Sequence, residues 1–131
     1  DTLHLRMTQR HKLFWTRVTQ SKALELLSHV VFIHDYLQLV FQDESFSIYN
    51  LAEVECGGDK VRQGHPGFCD AVVGLIGQRV IEVSCSDAYA LRLSFEEGAH
   101  FTVRDDDEAI TGPEAFQFIG KNQPPVIDQN T

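Results

Sequence analysis

The sequence has few cysteines, one methionine, one tryptophan and no long apolar run. Its three cysteines, Cys56, Cys69 and Cys85, form no C-x-x-C pair, and an odd number cannot close a disulfide framework. This usage is typical of a reducing compartment, so we expect a cytoplasmic location. No apolar run approaches the ~20 residues that a membrane-spanning helix needs, and no basic start followed by an apolar stretch marks a secretory signal. We interpret Met7 as the native start and residues 1–6 as an upstream remnant.

Basic residues are also few. The chain has 11 Lys and Arg against 19 Asp and Glu, which gives a net charge of −8. Nucleic-acid binding requires clustered Lys and Arg that neutralise phosphates, so we expect no nucleic-acid partner. An acidic surface keeps a protein soluble, and it also steers a basic protein partner towards itself.

The residues that a reaction would require are not gathered in the sequence. A Gly-x-Ser-x-Gly motif and a phosphate-binding glycine loop are both absent. Cys56, His65 and Cys69 have zinc-ligand chemistry in a C-x8-H-x3-C arrangement, but no fourth ligand is evident and the spacing matches no zinc signature. We therefore interpret residues 56–68 as a mobile loop, and we expect a non-enzymatic protein without a metal or cofactor.

What the sequence does contain is an internal repeat. Residues 27–50 and 76–104 each carry a β-branched run, a short polar turn, an alternating segment, an acidic hairpin turn and a returning segment. In the second copy, Leu91 and Leu93 flank Arg92, and this period of two is typical of a half-buried strand. The repeat therefore predicts strands and hairpins in both halves.

These patterns predict an α+β fold that is mainly β. We expect two repeated antiparallel β-meander units, at about residues 21–55 and 70–119, within a single domain of residues 1–131. Packed together, the units would form a sheet pair or a small open barrel. A helix over residues 9–19 would cover one face, because Leu13, Phe14 and Val18 recur at helical spacing.

Three shorter segments complete the predicted fold. Ser21 and Asp70 are good N-cap residues, so each is expected to start a helical turn before its unit. Phe116 and Phe118 alternate with polar neighbours and predict a fourth, edge strand that begins after Pro113. The polar tail, residues 121–131, is expected to be extended or disordered at its end.

Two groups of residues are candidates for partner binding. Trp15, Tyr36 and Tyr49 belong to the residue types that dominate protein interfaces, although aromatic side chains also serve in cores. The second group is the acidic run after the second hairpin, which lacks the glycine and spacing of a calcium loop. We expect that run to be a solvated loop that contacts a basic protein surface, and it consists of Asp105, Asp106, Asp107 and Glu108.

Three short strings give a resemblance to a known group of proteins. YLQLVF at residues 36–41, IYN at residues 48–50 and GPEA at residues 112–115 resemble blocks in small bacterial proteins of unknown function that occur in mobile gene cassettes and beside toxin genes. The resemblance extends over about half of the chain, and the first block departs from the pattern in lacking a hairpin glycine. It implies a binding or immunity-like role and no catalytic residue.

From these observations we expect a non-enzymatic protein-binding module, of immunity or accessory type, that uses an acidic surface. The alternative is a small-ligand-binding protein with an apolar pocket between the duplicated sheets, since Phe is abundant. The partner would be another protein or a second copy of the chain, because exposed sheet edges invite pairing and two-fold dimers are common.

Overall fold

Two antiparallel sheets of five strands each make up most of the structure, a computed structural model that describes residues 26–120 and 124–130. The sheets do not close on each other, so the arrangement is a sheet pair and not a barrel. The elements are β1 (His29–Ile33), β2 (Tyr36–Val40), β3 (Ser45–Ile48), β4 (Ala52–Cys56), β5 (Asp59–Arg62), α1 (Phe68–Val73), β6 (Val80–Ser86), β7 (Tyr89–Phe95), β8 (His100–Val103), β9 (Glu114–Ile119) and β10 (Val126–Gln129).

The alternating segments form the strands that their period of two predicts. In β2, Leu37 and Leu39 are buried between the sheets, while Gln38 lies half-buried on the outer face. In β7, Leu91 and Leu93 are buried in the same way. Alternate side chains of a strand point to opposite faces, so one face of each sheet enters the core. The prediction of a mainly β protein is confirmed.

Strand order shows how the two sheets are interlocked. The first sheet has the order β1-β2-β3-β9-β10, and the second has the order β6-β7-β8-β4-β5. Each sheet therefore consists of a three-stranded meander from one half of the chain and a two-stranded hairpin from the other half. We expect the fourth strand of each half to extend its own meander. In the structure, the fourth strands β4 and β9 instead cross to the opposite sheet. Alternation in the sequence specifies a buried face but not the strand that pairs beside it.

The prediction of a loop over residues 56–68 is wrong for the first part of this range, which belongs to a hairpin. Cys56 ends β4, and β5 follows after a turn formed by Gly57 and Gly58. Both glycines have positive φ angles, 61° and 88°, a conformation that a two-residue hairpin turn requires and that glycine adopts without steric cost. This Gly-Gly pair is the sequence signal from which the β4–β5 hairpin could have been predicted.

The predicted edge strand is instead an interior strand. β9 begins directly after Pro113, as expected, but it lies between β3 and β10. β10 lies within the tail that is predicted to be extended or disordered at its end, and its Val126 is buried against the core. Phe116 and Phe118 of β9 therefore pack inside the sheet pair.

The helical predictions have mixed outcomes. α1 forms close to the predicted lead-in of the second unit, but its N-cap is Gly67, and Asp70 lies in its first turn. The predicted helix over residues 9–19 and the Ser21 cap lie outside the described residues. Within the described part of the chain, no helix has the length and hydropathy that a membrane crossing requires.

Phenylalanine fills the space between the sheets. Phe46 on β3 has no exposed surface, and the centroid of its ring lies 4.8 Å from the ring of Phe118, 6.2 Å from Phe41 and 6.5 Å from Phe116. From the second sheet, Phe101 is buried completely. Aromatic rings at these distances and tilts add attraction beyond the burial of their area.

Both connections between the sheets lie at one end of the molecule, which we call the crossover end. Residues 49–51 connect β3 to β4, and residues 104–113 connect β8 to β9. The backbone N–H groups of Tyr49 and Asn50 donate to the carbonyl of Ala115, and the N–H of Arg104 donates to the carbonyl of Leu51. These hydrogen bonds join the two connections to each other.

A reciprocal pair of amide side chains closes the crossover end. Nδ2 of Asn50 donates to Oδ1 of Asn130 and to the carbonyl of Arg104, both at 2.9 Å. Nδ2 of Asn130 donates to Oδ1 of Asn50 at 2.9 Å and to the carbonyl of Gly112 at 2.8 Å. Asn50 is 1% exposed, so these groups have no ready access to water. The pair joins the β3–β4 connection to the end of β10.

Replacing Asn50 by alanine is expected to lower the free energy of unfolding by about 2–3 kcal/mol, because buried hydrogen-bonding groups lose their partner. Urea denaturation measures the loss. Asn130→Ala is the matched variant, and the double variant should cost less than the sum of the two single losses, since the reciprocal bonds between the two amides are lost in either case. Additive losses, or losses below about 0.5 kcal/mol, would contradict this role of the amide pair.

Candidate functional site

A cleft of about 440 Å³ opens at the crossover end. The β1–β2 turn contributes His34 and Asp35, and the β3–β4 connection contributes Tyr49. The opposite wall is the end of the β8–β9 connection with the start of β9, where Thr111 and Glu114 lie. Segments far apart in the sequence meet here because both sheet-to-sheet connections are at this end.

Two tyrosines form an aromatic pair beside the cleft. The ring centroids of Tyr36 and Tyr49 are 5.3 Å apart and their planes are tilted by 45°. Both side chains are half-buried, so part of each ring faces solvent. The hydroxyl of Tyr49 donates to Oε1 of Gln117 at 3.2 Å, which fixes the ring.

The Tyr49 phenol stays neutral at physiological pH. Burial raises the pKa of Tyr49 above its ordinary value, the hydrogen bond with Ser47 opposes this in part, and the nearby charge of Glu114 and the Tyr36 phenol add smaller upward effects. The neutral phenol is therefore a hydrogen-bond donor, and the rings offer their electron-rich faces to a cation.

Hydrogen bonds tie the β8–β9 connection to the β3–β4 connection beside the aromatic pair. Oγ1 of Thr111 donates to the carbonyl of Tyr49 at 2.7 Å, and the N–H of Leu51 donates to the carbonyl of Ala109 at 2.8 Å. Ala109 directly follows Glu108. The connection that carries the acidic run is therefore bonded to the backbone that carries Tyr49.

Arg104 organises the acidic run from below. Its guanidinium, 9% exposed, donates to both carboxylate oxygens of Asp106, from Nε at 3.0 Å and from a terminal nitrogen at 2.7 Å. Partial burial by itself would raise the pKa of Asp106, but the hydrogen bonds and charge of Arg104 outweigh it and hold that pKa below its ordinary value. One carboxylate of the run is thus neutralised and fixed in place.

The remaining carboxylates give this end a negative surface. Asp35, Asp107 and Glu108 are exposed, and Asp105 and Glu114 are half-buried. The cationic Arg104 is buried beneath them in its ion pair. A ligand that approaches the cleft therefore meets carboxylates and tyrosine rings.

The outer face of the second sheet carries charged residues that satisfy one another. Arg92 lies 4.2 Å from the ring centroid of Tyr89, and its Nε donates to Thr102 at 3.1 Å. Further along the same face, Glu53 pairs with Lys60 at 3.5 Å and with Arg62 at 3.3 Å. Charges that are already paired across strands offer less to a partner than the exposed carboxylates of Asp35, Asp107 and Glu108 at the crossover end.

The possible metal loop is not assembled. β5 lies between Cys56 and His65 and places them at opposite ends of the β4–β5 hairpin. Cys56, His65 and Cys69 are all exposed. Among residues 26–120 and 124–130, no three His, Cys, Asp or Glu side chains are grouped closely enough to hold a metal ion.

Of the residues selected from the sequence, Tyr36 and Tyr49 contact each other, and the run from residue 105 to 108 lies in the same connection as Thr111, which bonds to the carbonyl of Tyr49. Trp15 lies outside the described residues. Sequence reasoning missed Asp35, Thr111 and Glu114, because no local pattern shows that a hairpin turn and a distant connection share one cleft. Comparison of the chain with protein-family models, with curated proteins and with solved structures finds no match.

Replacing Asp106 by asparagine is expected to lower stability at neutral pH by less than about 1 kcal/mol, since its carboxylate is 49% exposed and screened. A lowered folded-state pKa contributes stability that is present above the unfolded value of 3.8 and is lost as the pH falls through the folded value. The difference from the parent chain should therefore vanish in strong acid. Urea denaturation at pH 7 and at pH 2 tests this.

Asp107→Asn is the matched control, because it makes the same charge change on an exposed side chain one residue away. We expect it to leave the acid dependence of stability as in the parent chain. An equal effect of both substitutions would show that the Arg104–Asp106 ion pair has no special part.

Proposed function

We propose that this chain is a non-enzymatic protein-binding module, of immunity or accessory type, and that its crossover end binds a basic segment of a partner protein. The observation that carries the proposal is that Asp35 and Glu114 line one cleft with Tyr49 of the half-exposed tyrosine pair, and that the connection ending at this cleft carries the acidic run. Tyrosine is enriched where interfaces derive most of their binding energy. Carboxylates steer a partner of opposite charge and select its orientation.

The chemistry of the cleft favours Lys or Arg as the side chain that enters it. A guanidinium or ammonium group over the rings of Tyr36 and Tyr49 gains cation–π attraction. From the same position it can reach Glu114, whose charge already acts on the Tyr49 phenol. Charge-assisted hydrogen bonds to a carboxylate are stronger than neutral ones, so the half-buried Glu114 is expected to contribute more than the exposed Asp35.

The resemblance to small proteins encoded beside toxin genes supports an immunity-like role. A blocking protein needs a rigid surface that matches its target in charge and shape, and it needs no catalytic group. The crossover end offers such a surface, since its connections are hydrogen-bonded to each other and to the end of β10. Negative charge at this end suits a target with a basic active site or a basic nucleic-acid-binding surface.

We further infer that the two halves arose by duplication of one five-stranded unit. If β1 to β5 are matched in order with β6 to β10, the two sheets have the same strand order with the two halves exchanged. Leu39 faces Phe46 across the first meander, and Leu93 faces Phe101 across the second. The second connection is longer than the first and carries the acidic run, so the two copies differ in length at the proposed binding site.

Small-ligand binding remains the second candidate, because a further cleft of about 670 Å³ lies at the end opposite the crossovers. Leu27, Val40, Phe41 and Ile76 line it with the more polar Arg79. This cleft is at one end of the sheet pair and not between the centres of the sheets. The binding test below separates the two candidates, since their residues lie at opposite ends.

Reversing charge in the acidic run tests the proposed surface. We expect Asp107→Lys with Glu108→Lys to weaken binding of a nine-residue Lys-Arg peptide about tenfold, or about 1.4 kcal/mol, in isothermal titration calorimetry. The matched control reverses Glu96 and Glu97 in the β7–β8 turn at the other end. Each substitution adds two charges, so both double variants change the net charge from −8 to −4.

The control variant should bind the peptide within about twofold of the parent chain, since charges more than a Debye length away are screened. An equal loss in both variants would show that only total charge matters. No binding of the basic peptide by the parent chain would overturn the proposed function.

Tyr49→Ala tests the aromatic part of the site. Loss of its ring is expected to lower the affinity for the same peptide about three- to tenfold, the range that a partly desolvated cation–π contact contributes. Tyr89→Ala is the control, because Tyr89 contacts a cation on the outer face of the second sheet. Thermal unfolding of both variants checks that each remains folded. Equal affinities for the Tyr49 and Tyr89 variants would remove Tyr49 from the site.

A further inference from the structure

The two sheets have four edge strands, and three of them carry features that discourage pairing with another chain. β5 has the sequence DKVR, with a charge at three of its four positions. β6 has two register irregularities and carries Glu82. β10 has a register shift between Asp128 and Gln129 and follows Pro124 and Pro125. Charges, bulges and prolines are the usual means by which proteins protect exposed edges.

β1 is the edge strand without any of these features. Its sequence is HVVFI, and it pairs with β2 in unbroken register from His29 to Ile33. It contains no Asp, Glu, Lys, Arg or Pro. Within residues 26–120 and 124–130, β2 is its only strand neighbour. Phe32 is 45% exposed, although its side chain points to the core side of the sheet.

Apolar side chains that face solvent surround this edge. Helix α1 contacts β1, and its Val73 is 49% exposed. Leu26 and Ile76, 44% and 41% exposed, line the same cleft as His29 at the start of β1. With Phe32, these are four of the six large hydrophobic residues that are exposed in the described part of the chain. Just ahead of β1, Leu27 exchanges backbone hydrogen bonds with Gly77 and Gln78, so the edge open to another chain runs from His29 to Ile33. An apolar border around such an edge is typical of an interaction surface.

We propose that β1 pairs antiparallel with β1 of a second copy of this chain, so that the two first sheets join into one ten-stranded sheet. An antiparallel pair related by a two-fold axis uses all five residues when Val31 lies on the axis. His29 then faces Ile33 of the second copy, and Val30 faces Phe32. In this register no two like charges face each other across the pair, although the whole chain carries a net charge of −8.

A second copy suits this edge better than the basic partner of the crossover end does. The edge has no carboxylate to attract a cation. A two-fold pairing buries the same apolar border on both copies at once, because a two-fold interface is made of one patch and its own image. The dimer does not depend on the proposed function, since it uses a different edge of the molecule.

The test is the molar mass of the full 131-residue chain, measured by light scattering after size exclusion. We expect the parent chain to have twice the monomer mass of 14.8 kDa. Val31→Lys should give a monomer, because two lysines would face each other at the axis. Ile81→Lys makes the same change on the β6 edge, where the side chain is 58% exposed, and should leave a dimer.

A monomeric parent chain, a dimeric Val31→Lys variant or a monomeric Ile81→Lys variant would each overturn the proposal. Circular dichroism establishes whether the lysine variants are folded. If Val31→Lys does not fold, amide hydrogen exchange of the parent chain decides. The β1 amides should then be protected in a concentrated sample and lose that protection on dilution, whereas protection that is independent of concentration would contradict the dimer.

Discussion

Exchange of strands between the two halves is the constraint on which the rest of this structure depends. A three-stranded meander with one apolar face is marginally stable in isolation. Here each meander is extended by a hairpin from the other half, so neither sheet can form completely without the other. The buried pair Asn50–Asn130 and the hydrogen bonds of the connections hold this exchange at one end. Phenylalanines from both halves then fill the space between the sheets.

The same constraint places the candidate site. Because both connections leave the sheets at one end, the Tyr36–Tyr49 pair comes next to the acidic connection that follows β8. Arg104 and Asp106 fix the base of that connection through a short ion pair. A site built in this way has an ordered base and an exposed charged rim, and it is on this arrangement that the proposed binding of a basic partner rests.

Local patterns in the sequence predicted the strands of both meanders, because alternation of apolar and polar residues reports directly on a half-buried strand. They did not predict that β4 and β9 cross to the opposite sheets, since the same alternation fits either neighbour. The Gly57–Gly58 turn was visible in the sequence, and β5 could have been inferred from it. The contacts of Asn50 with Asn130, across 80 residues, and of Thr111 with Tyr49, across 62, have no local signal. Composition predicted an acidic protein, but only the fold shows that Asp35 and Glu114 line one cleft with Tyr49.

Hydrogen exchange under mildly denaturing conditions tests the interlocking of the two sheets most directly. The amides of β2 and β3 should exchange with the same opening free energy as those of β7 and β8, and that value should equal the free energy of global unfolding. The cross-bonded amides of Asn50 and Arg104 should follow them. Two distinct opening free energies, one for each sheet, would contradict the claim that strand exchange makes the halves a single cooperative unit.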